Sequence, residues 1–187
     1  MRIISGLARG TKLYTLEGEN TRPTLDRVKE PLFSIIQTRI KDSVVLDLFA
    51  GSGALGLEAL SRGAKEAVLC DKSYEAIRII RNNISKTHME EKTKVICADY
   101  KKCLSTIKDK FDIIFIDPPY KLDIAIKSVE MILEKDLLSQ DGIIIIETDD
   151  DARELQEIKK LDYNIEIINQ RTYGRVKLIF LKKEERG

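Results

Sequence analysis

Residues Val44–Gly56 read VVLDLFAGSGALG, and this stretch decides which fold the chain is expected to adopt. It begins as a short apolar run, breaks into a glycine-rich turn and continues with helix-forming residues as far as Arg62. A strand that leads through a tight glycine turn into a helix is the start of a βαβ nucleotide-binding unit. The spacing of Gly51, Gly53 and Gly56 fits GxGxxG, a weak signal that by itself would suggest NAD.

Two further features point away from a dinucleotide. Asp47 lies inside the strand just before the turn, where its carboxylate would repel a pyrophosphate and attract a cationic amine. The second feature is a buried-type strand, FDIIFI, that ends in the sequence Asp117-Pro118-Pro119-Tyr120. Together, in this order and spacing, the two motifs are far more specific than the glycine motif alone.

From Lys41 onward, apolar strands alternate with helical patterns. Strands are predicted at Val44–Phe49, Ala67–Cys70, Lys94–Cys97, Ile113–Ile116 and Ile143–Glu147. Helices are predicted at Ala54–Arg62, Ser73–Lys86, Lys101–Ile107, Asp123–Leu133 and Ala152–Leu161. A closing antiparallel pair is predicted at Ile165–Ile168 and Val176–Leu181, joined through Arg171–Gly174. Short, uniformly apolar strands separated by helices predict an α/β fold with a Rossmann-like, doubly wound, mostly parallel seven-stranded sheet.

The first 40 residues are expected to form a small N-terminal β-arm and a helix. Residues 1–14 carry three basic residues and no acidic one, and their glycines predict a hairpin or extended arm with a flexible tip. Thr24 or Asp26 is the candidate cap of the helix that follows. Pro31 would remove a backbone hydrogen bond from that helix unless it falls in the first turn or produces a kink.

The composition narrows the class of protein. With 187 residues, 43% hydrophobic and 34% charged, the chain reads as an ordinary globular protein. Because the net charge is only +1, any nucleic-acid binding must use a local patch. No apolar run reaches membrane-spanning length and Met1–Gly6 lacks the apolar core of a signal peptide, so a cytoplasmic location and no membrane association are expected.

Cysteine and histidine usage gives further expectations. Three cysteines without a CxxC pair argue against a disulfide framework, and a single histidine argues against a zinc site. Cys70 and Cys97 lie in apolar runs and are expected to be reduced core residues. Nothing in the sequence indicates an obligate protein partner, so a monomer without a metal is expected.

The segments Asp47–Gly53 and Asp117–Tyr120 together resemble the S-adenosylmethionine-dependent methyltransferases that modify exocyclic amino groups of nucleobases. Over essentially its whole length, the chain resembles the RsmD family, which methylates the N2 amino group of a guanine in bacterial 16S ribosomal RNA. The likeness rests on Arg2–Gly6, Arg22–Glu30, Leu46–Ala64, Asp117–Tyr120 and Tyr173-Gly174.

The resemblance implies S-adenosylmethionine as cofactor and 16S rRNA, within a partly assembled small ribosomal subunit, as partner. It implies one methyltransferase domain over residues 1–187, with a basic arm and helix in 1–40 and a catalytic core in 41–187. Three positions depart from the family pattern: Asp71 stands where Glu is frequent, Pro31 where proline is unusual, and Tyr120 where Phe is frequent.

Acidic residues end three consecutive predicted strands, the edge at which open α/β sheets bind ligands. On the resemblance, Asp47 would attract the amino group of the cofactor, Asp71 would accept hydrogen bonds from its ribose, and Asp99 from its adenine. A single acid at such a place more often caps a helix, but three beside a glycine turn favour a ligand site. The candidate cofactor-binding residues are Asp47, Phe49, Ala50, Gly51, Gly53, Gly56, Asp71, Lys72, Asp99 and Tyr100.

The candidate catalytic residues are Asp117, Pro118, Pro119 and Tyr120. An exocyclic amine is a poor nucleophile because its lone pair is delocalised into the ring. The Asp117 carboxylate and the Pro118 carbonyl could accept its N–H bonds and so aim the lone pair at the methyl group. The prolines would stiffen the loop, and Tyr120 would stack on a base pulled out of its helix. Whether Asp117 also takes the proton is left open.

The candidate contacts to RNA phosphates are Arg2, Arg9, Lys12, Arg22 and Arg27. Two other functions stay open at this stage. A DNA adenine N6 methyltransferase would use the same Asp-Pro-Pro-Tyr motif, although the chain has no spare segment for reading a DNA sequence. A non-catalytic nucleotide-binding module or NAD-dependent reductase would use the glycine turn and predicts no function for Asp117.

Overall fold

Seven strands form one mixed sheet in the order β3-β2-β1-β4-β5-β7-β6. The computed structural model describes residues 1–16, 23–118 and 122–184, and gives the backbone alone for 23–26, 122 and 151. The strands are β1 Val44–Asp47, β2 Glu66–Asp71, β3 Thr93–Cys97, β4 Phe111–Ile116, β5 Leu138–Thr148, β6 Ile165–Tyr173 and β7 Val176–Lys183. β1 to β5 run parallel, and β7 is antiparallel to both β5 and β6. The predicted Rossmann-like architecture with a closing antiparallel pair is confirmed.

The helices connect the strands where the alternation predicts them. They are α1 Pro23–Ile35, α2 Gln37–Ile40, α3 Ala54–Ser61, α4 Tyr74–Thr87, α5 Tyr100–Thr106, α6 Leu122–Glu134 and α7 Asp151–Ile158. The closing pair differs from prediction, because its ladder continues to Tyr173 opposite Val176. Only Gly174 and Arg175 therefore form the turn, and Gly174 adopts a φ of +65° that suits a two-residue hairpin.

Alternation along the strands divides the core into two layers. Val45 and its equivalents point to a first face, which the N-terminal arm, α1, α2, α3 and α4 cover. Leu46 and its equivalents point to a second face, which α5, α6 and α7 cover. Because both faces are covered, the central strands are apolar throughout, which is the pattern that the sequence showed.

Helix α1 begins earlier than its expected caps. Its first residue is Pro23, so neither Thr24 nor Asp26 precedes the helix, and the expectation that one of them caps it is wrong. A proline suits the first position because its fixed φ is helical and its missing N–H would have no partner there. Pro31 lies within the helix. Packing sustains the helix around Pro31: Phe33 is fully buried, with its ring centroid 5.8 Å from that of Phe115 on β4.

The N-terminal arm, residues 1–16, is a docked hairpin. Arg2 and Lys12 form an antiparallel bridge across it. The tip, which the sequence predicted to be flexible, packs on the end of α3: the Leu7 amide donates to the Ser61 carbonyl at 2.9 Å. The Ala8 amide donates to the Ser61 hydroxyl at 3.0 Å. Glycines suggested a free tip, whereas the hydrogen bonds to α3 hold it.

A buried carboxylate on α3 fastens the same hairpin. Glu58 is fully buried and accepts from the Ile4 and Ser5 amides at 2.8 and 3.0 Å. It also pairs with Lys29 at 3.1 Å and with Arg62 at 2.7 Å. A buried charge is costly unless it is paired and hydrogen-bonded, and Glu58 meets both conditions. Glu58 thus joins the arm, α1 and α3.

The cysteines only partly follow expectation. Cys70 and Cys103 are buried and free, as reduced core residues would be, but Cys97 is exposed. The prediction for Cys97 is wrong because β3 lies at the edge of the sheet and its last residue is left uncovered. Within residues 1–16, 23–118 and 122–184, no helix combines the length and apolar character needed to cross a membrane, and no cluster of side chains is suited to a metal ion.

Two glycines of the arm provide a matched test of its docking. Gly6 and Gly10 have nearly equal φ angles of +84° and +85°, but a Cβ at Gly6 would lie 1.7 Å from the Ser61 carbonyl oxygen and one at Gly10 would meet nothing within 4 Å. We expect Gly10→Ala to lower the free energy of unfolding by about 1 kcal/mol, and Gly6→Ala by about 2 to 4 kcal/mol. Urea denaturation measures both, and equal costs would contradict the docked arrangement.

Candidate active site

Three carboxylates converge at the carboxyl ends of adjacent strands. Asp47 ends β1, Asp71 ends β2 and Asp117 follows β4, and the sheet order places β1 between the other two. Asp47 is only 2% exposed. Burial raises the pKa of Asp47 to about 7, and repulsion from Asp117 and Asp71 adds to this rise, although a hydrogen bond from the Gly56 amide opposes it. The ends of these strands therefore form a site of concentrated negative charge.

The glycine turn is tied to the second of these carboxylates. Asp71 accepts from the Gly51 amide at 2.9 Å through one oxygen and from the Ser73 amide at 2.8 Å through the other. The Ala50 amide donates to the Cys70 carbonyl at 2.8 Å. Asp71 thus links the turn after β1 to the start of α4. Each carboxylate oxygen keeps a lone pair with which it can accept from a ligand.

Gly56, in the first turn of α3, supports the site through Asp47 and through close packing on the sheet. Its amide donates to Asp47 at 3.2 Å, and a Cβ at this position would lie 2.2 Å from Cδ2 of Leu69 on β2. Gly56 is also buried. The last glycine of the motif therefore allows α3 to pack closely on the sheet, and we expect it to affect a cofactor through Asp47.

Two aromatic rings border the site beyond β2. Phe49 follows β1 and Tyr100 begins α5, and their ring centroids are 5.9 Å apart. Burial of the ring and then the charge of Asp99 raise the pKa of Tyr100. Asp99 is exposed and accepts from the Lys101 and Lys102 amides, so it caps α5. The structure thus places Phe49, Asp99 and Tyr100, all predicted from the sequence, at one edge of the site. Lys72, another predicted residue, is exposed directly after Asp71.

The other predicted residues fall into two groups. Asp117 and Pro118 are half-buried at the end of β4, while Pro119 and Tyr120 lie outside the described residues. Of the predicted RNA contacts, Arg2, Arg9 and Lys12 are exposed on the arm and Arg27 is exposed on α1. Arg22 lies outside the described residues.

One residue that sequence reasoning missed connects the arm to the glycine turn. The Asn83 side chain is fully buried and accepts from the Tyr14 amide at 2.7 Å. Its amide nitrogen donates to the Tyr14 and Ser52 carbonyls, both at 2.9 Å. A signal was available, since Asn83 falls between Ile80 and Ile84 on the apolar stripe of α4. A polar residue at a buried helical position needs partners, and here they are backbone groups.

The arrangement fits a cationic ligand. Within the part of the chain that the structure describes, no basic side chain forms an ion pair with Asp47 or Asp71. A ligand with ammonium and sulfonium groups would relieve the repulsion among the carboxylates, whereas a pyrophosphate would increase it. The donors and acceptors of the site thus suit S-adenosylmethionine.

Comparisons with known proteins agree with this geometry. The family model described as Conserved hypothetical protein 95 matches residues 1–182. Ribosomal RNA small subunit methyltransferase D of Haemophilus influenzae is 37% identical over 154 residues, which are 81% of this chain and 80% of that protein. The YlbH protein of Bacillus subtilis is 35% identical over 98% of this chain and 99% of its own. The solved structure of yhhF from Escherichia coli has a TM-score of 0.84 at 26% identity, covering 100% of this chain and 99% of that one.

Fold, site and relatives together define an S-adenosylmethionine-dependent methyltransferase. The chain belongs to the RsmD family, as the match over residues 1–182 and the relatives named ribosomal RNA small subunit methyltransferase D show.

The raised pKa of Asp47 predicts how stability changes with pH. Because the folded state binds this proton more tightly than the unfolded state, ionising Asp47 costs folding free energy as pH rises from about 4 to about 7. We expect the free energy of unfolding of the cofactor-free protein to fall by about 2 kcal/mol more between pH 5 and 7 than that of Asp47→Asn, which cannot ionise. Urea titrations at each pH measure the difference. Parallel profiles would contradict the assigned environment of Asp47.

Proposed function

We propose that the protein transfers a methyl group from S-adenosylmethionine to the exocyclic N2 amino group of a guanine in 16S rRNA. The observation that carries the proposal is the convergence of Asp47, Asp71 and Asp117 at the ends of three adjacent strands, with Asp117 followed by Pro118. The names of relatives that modify small-subunit rRNA support the class of target. We further propose that a partly assembled small ribosomal subunit is the substrate and that the protein acts as a monomer.

The residues on the cofactor side would bind S-adenosylmethionine through charge and through the shape of the site. Bound S-adenosylmethionine supplies a methyl group already activated by its sulfonium. Asp47 attracts the ammonium group from beneath the glycine turn, and Asp71 accepts from the ribose hydroxyls while it holds the Gly51 amide. The adjoining rings of Phe49 and Tyr100 would form one wall for the adenine, with Asp99 beside its amino group.

The substrate side would depend on orientation. Asp117 and the Pro118 carbonyl accept the two N–H bonds of the guanine amino group, which directs its lone pair toward the methyl carbon. As the new C–N bond forms, the bond between the sulfonium sulfur and the methyl carbon would break, with S-adenosylhomocysteine as the leaving group. The nitrogen would then lose a proton to Asp117 or to water. Holding the two reacting atoms in line supplies most of the acceleration. Pro119 and Tyr120 are proposed to stiffen the loop and to stack on the flipped base.

The exposed cations of the arm and of α1 would contact the RNA backbone. Arg2, Arg9 and Lys12 lie on the hairpin that Glu58 and Ser61 dock to the body. Arg27 is exposed on α1, and Arg22, which lies outside the described residues, is proposed to contribute as well. Docking matters here, because a fixed array of cations loses less entropy on binding than a mobile one.

The first test compares three substrates. Labelled methyl transfer from S-adenosylmethionine is measured on free 16S rRNA, on small subunits that lack the modification, and on duplex DNA. We expect N2-methylguanine in the subunits and little label in DNA. Label only in DNA adenine would overturn the substrate while retaining the cofactor, and no transfer to any substrate would overturn the proposed reaction.

Variants of two carboxylates separate chemistry from binding. We expect Asp117→Ala to reduce turnover at least about a hundredfold, because the amine is no longer oriented, while cofactor affinity stays within a few-fold of wild type. We expect Asp71→Ala to weaken cofactor binding by about tenfold to a hundredfold through lost charged hydrogen bonds. Single-turnover rates and calorimetric titration measure the two quantities. Activity retained in Asp117→Ala, or unchanged affinity in Asp71→Ala, would contradict the roles given to these residues.

A further inference from the structure

The junction between the arm and α4 creates a surface to which the site description gives no role. Asn83, fully buried on α4, holds both the amide and the carbonyl of Tyr14. Because both hydrogen bonds are made by a fully buried side chain, Tyr14 is fixed against α4. The end of the arm therefore lies beside the third turn of α4, where the Tyr14 ring meets the exposed Lys86.

The exposed side of this junction combines aromatic and basic groups. The Tyr14 ring is 53% exposed, and the Lys86 ammonium lies 4.4 Å from its centroid. At the other end of α4, Tyr74 is 84% exposed. Between them Arg78 and Arg81 are exposed, and their spacing places them on the same side of the helix as Tyr74.

The basic side chains of α4 lack an ion-pair partner among the described residues. Among residues 1–16, 23–118 and 122–184, no carboxylate forms an ion pair with Arg78, Arg81 or Lys86. The only acid on this side of α4 is Glu75, in its first turn. Because the whole chain carries a net charge of only +1, the surface is a local concentration of positive charge.

The surface also adjoins the candidate active site. Helix α4 begins at Tyr74, directly after Ser73, whose amide Asp71 holds. Its third turn reaches Tyr14, two residues beyond the exposed Lys12. The helix thus leads from the mouth of the cofactor site to the basic arm.

We infer that the outer face of α4, with Lys12 and Tyr14 of the arm, binds the phosphate backbone of the RNA substrate. This inference rests on the proposed function and extends its RNA-binding surface beyond the arm and α1. Arg78 and Arg81 hold phosphates through charge-assisted hydrogen bonds, and Tyr14 and Tyr74 offer faces on which unpaired bases stack. A surface that combines guanidinium and aromatic groups suits a nucleic acid, since both backbone charge and base faces find partners.

The test reverses two charges on each face of the sheet. The double variant R78E/R81E changes α4, and K127E/K159E changes exposed lysines of α6 and of the end of α7 on the second face by the same net charge. R78K/R81K keeps the charge. Each protein is titrated with unmethylated 16S rRNA at several salt concentrations and assayed on small subunits that lack the modification.

We expect R78E/R81E to raise the KM for the subunits at least about tenfold, and to lower the slope of log affinity against log salt by about 1 to 2. Its affinity for S-adenosylmethionine, its turnover at saturation and its melting temperature should match wild type. The control K127E/K159E should change KM less than twofold, and R78K/R81K should keep most of the affinity.

The outcomes separate the inference from the proposed function. If R78E/R81E matches the control on both rRNA and subunits while wild type methylates rRNA, the inference is overturned and the proposed function stands. A loss on subunits without a loss on naked rRNA also overturns the inference, and makes a ribosomal protein the partner of this face. If wild type methylates no rRNA, the proposed function is wrong. If, in that case, R78E/R81E also binds rRNA as tightly as wild type does, the inference is overturned as well.

Discussion

The hydrogen bond from the Gly56 amide to the buried Asp47 carboxylate is the contact on which the site depends. It joins the end of the central strand β1 to the first turn of α3, and so fixes the path of the glycine turn between them. Asp71 repeats the arrangement on the next strand by holding the Gly51 amide. Since an unpaired carboxylate would be costly at such depth, the backbone amides of the turn stabilise the charges that the site requires.

A second pair of buried polar residues attaches the N-terminal arm. Glu58 binds the amides near the tip, and Asn83 binds the backbone of Tyr14 at the other end. Asn83 also reaches the Ser52 carbonyl inside the glycine turn, so the arm and the turn share one side chain. The N-terminal segment is thereby part of the layer that covers the first face of the sheet. In the proposed reaction, a surface for RNA and a site for the cofactor are held in fixed relation.

Acidic and basic residues are concentrated in different parts of the structure. Acidic groups are concentrated at the strand ends, where the charges of Asp117 and Asp71 add to the raised pKa of the buried Asp47. Positive charge lies outside, on the arm and along α4, at residues such as Lys12 and Arg78. In the proposed reaction, the acidic strand ends would attract the cationic cofactor, and the basic arm and α4 would hold RNA phosphates away from the carboxylates. The net charge of only +1 therefore combines acidic groups at the strand ends with basic groups on the arm and α4.

The architecture could be predicted from the order of residues alone, because alternating apolar strands and helices admit few topologies, and because a glycine turn after a strand marks the ligand-binding edge. The sequence also placed Asp47, Asp71 and Asp117 at that edge, because the ends of strands can be located without knowing how side chains pack. It missed Asn83 and Glu58, and it predicted a flexible tip for the arm and a buried Cys97. Those properties arise from contacts between distant segments and from which strand lies at the edge of the sheet. Only the tertiary structure decides them, since burial and hydrogen-bond partners are properties of neighbours in space rather than in sequence.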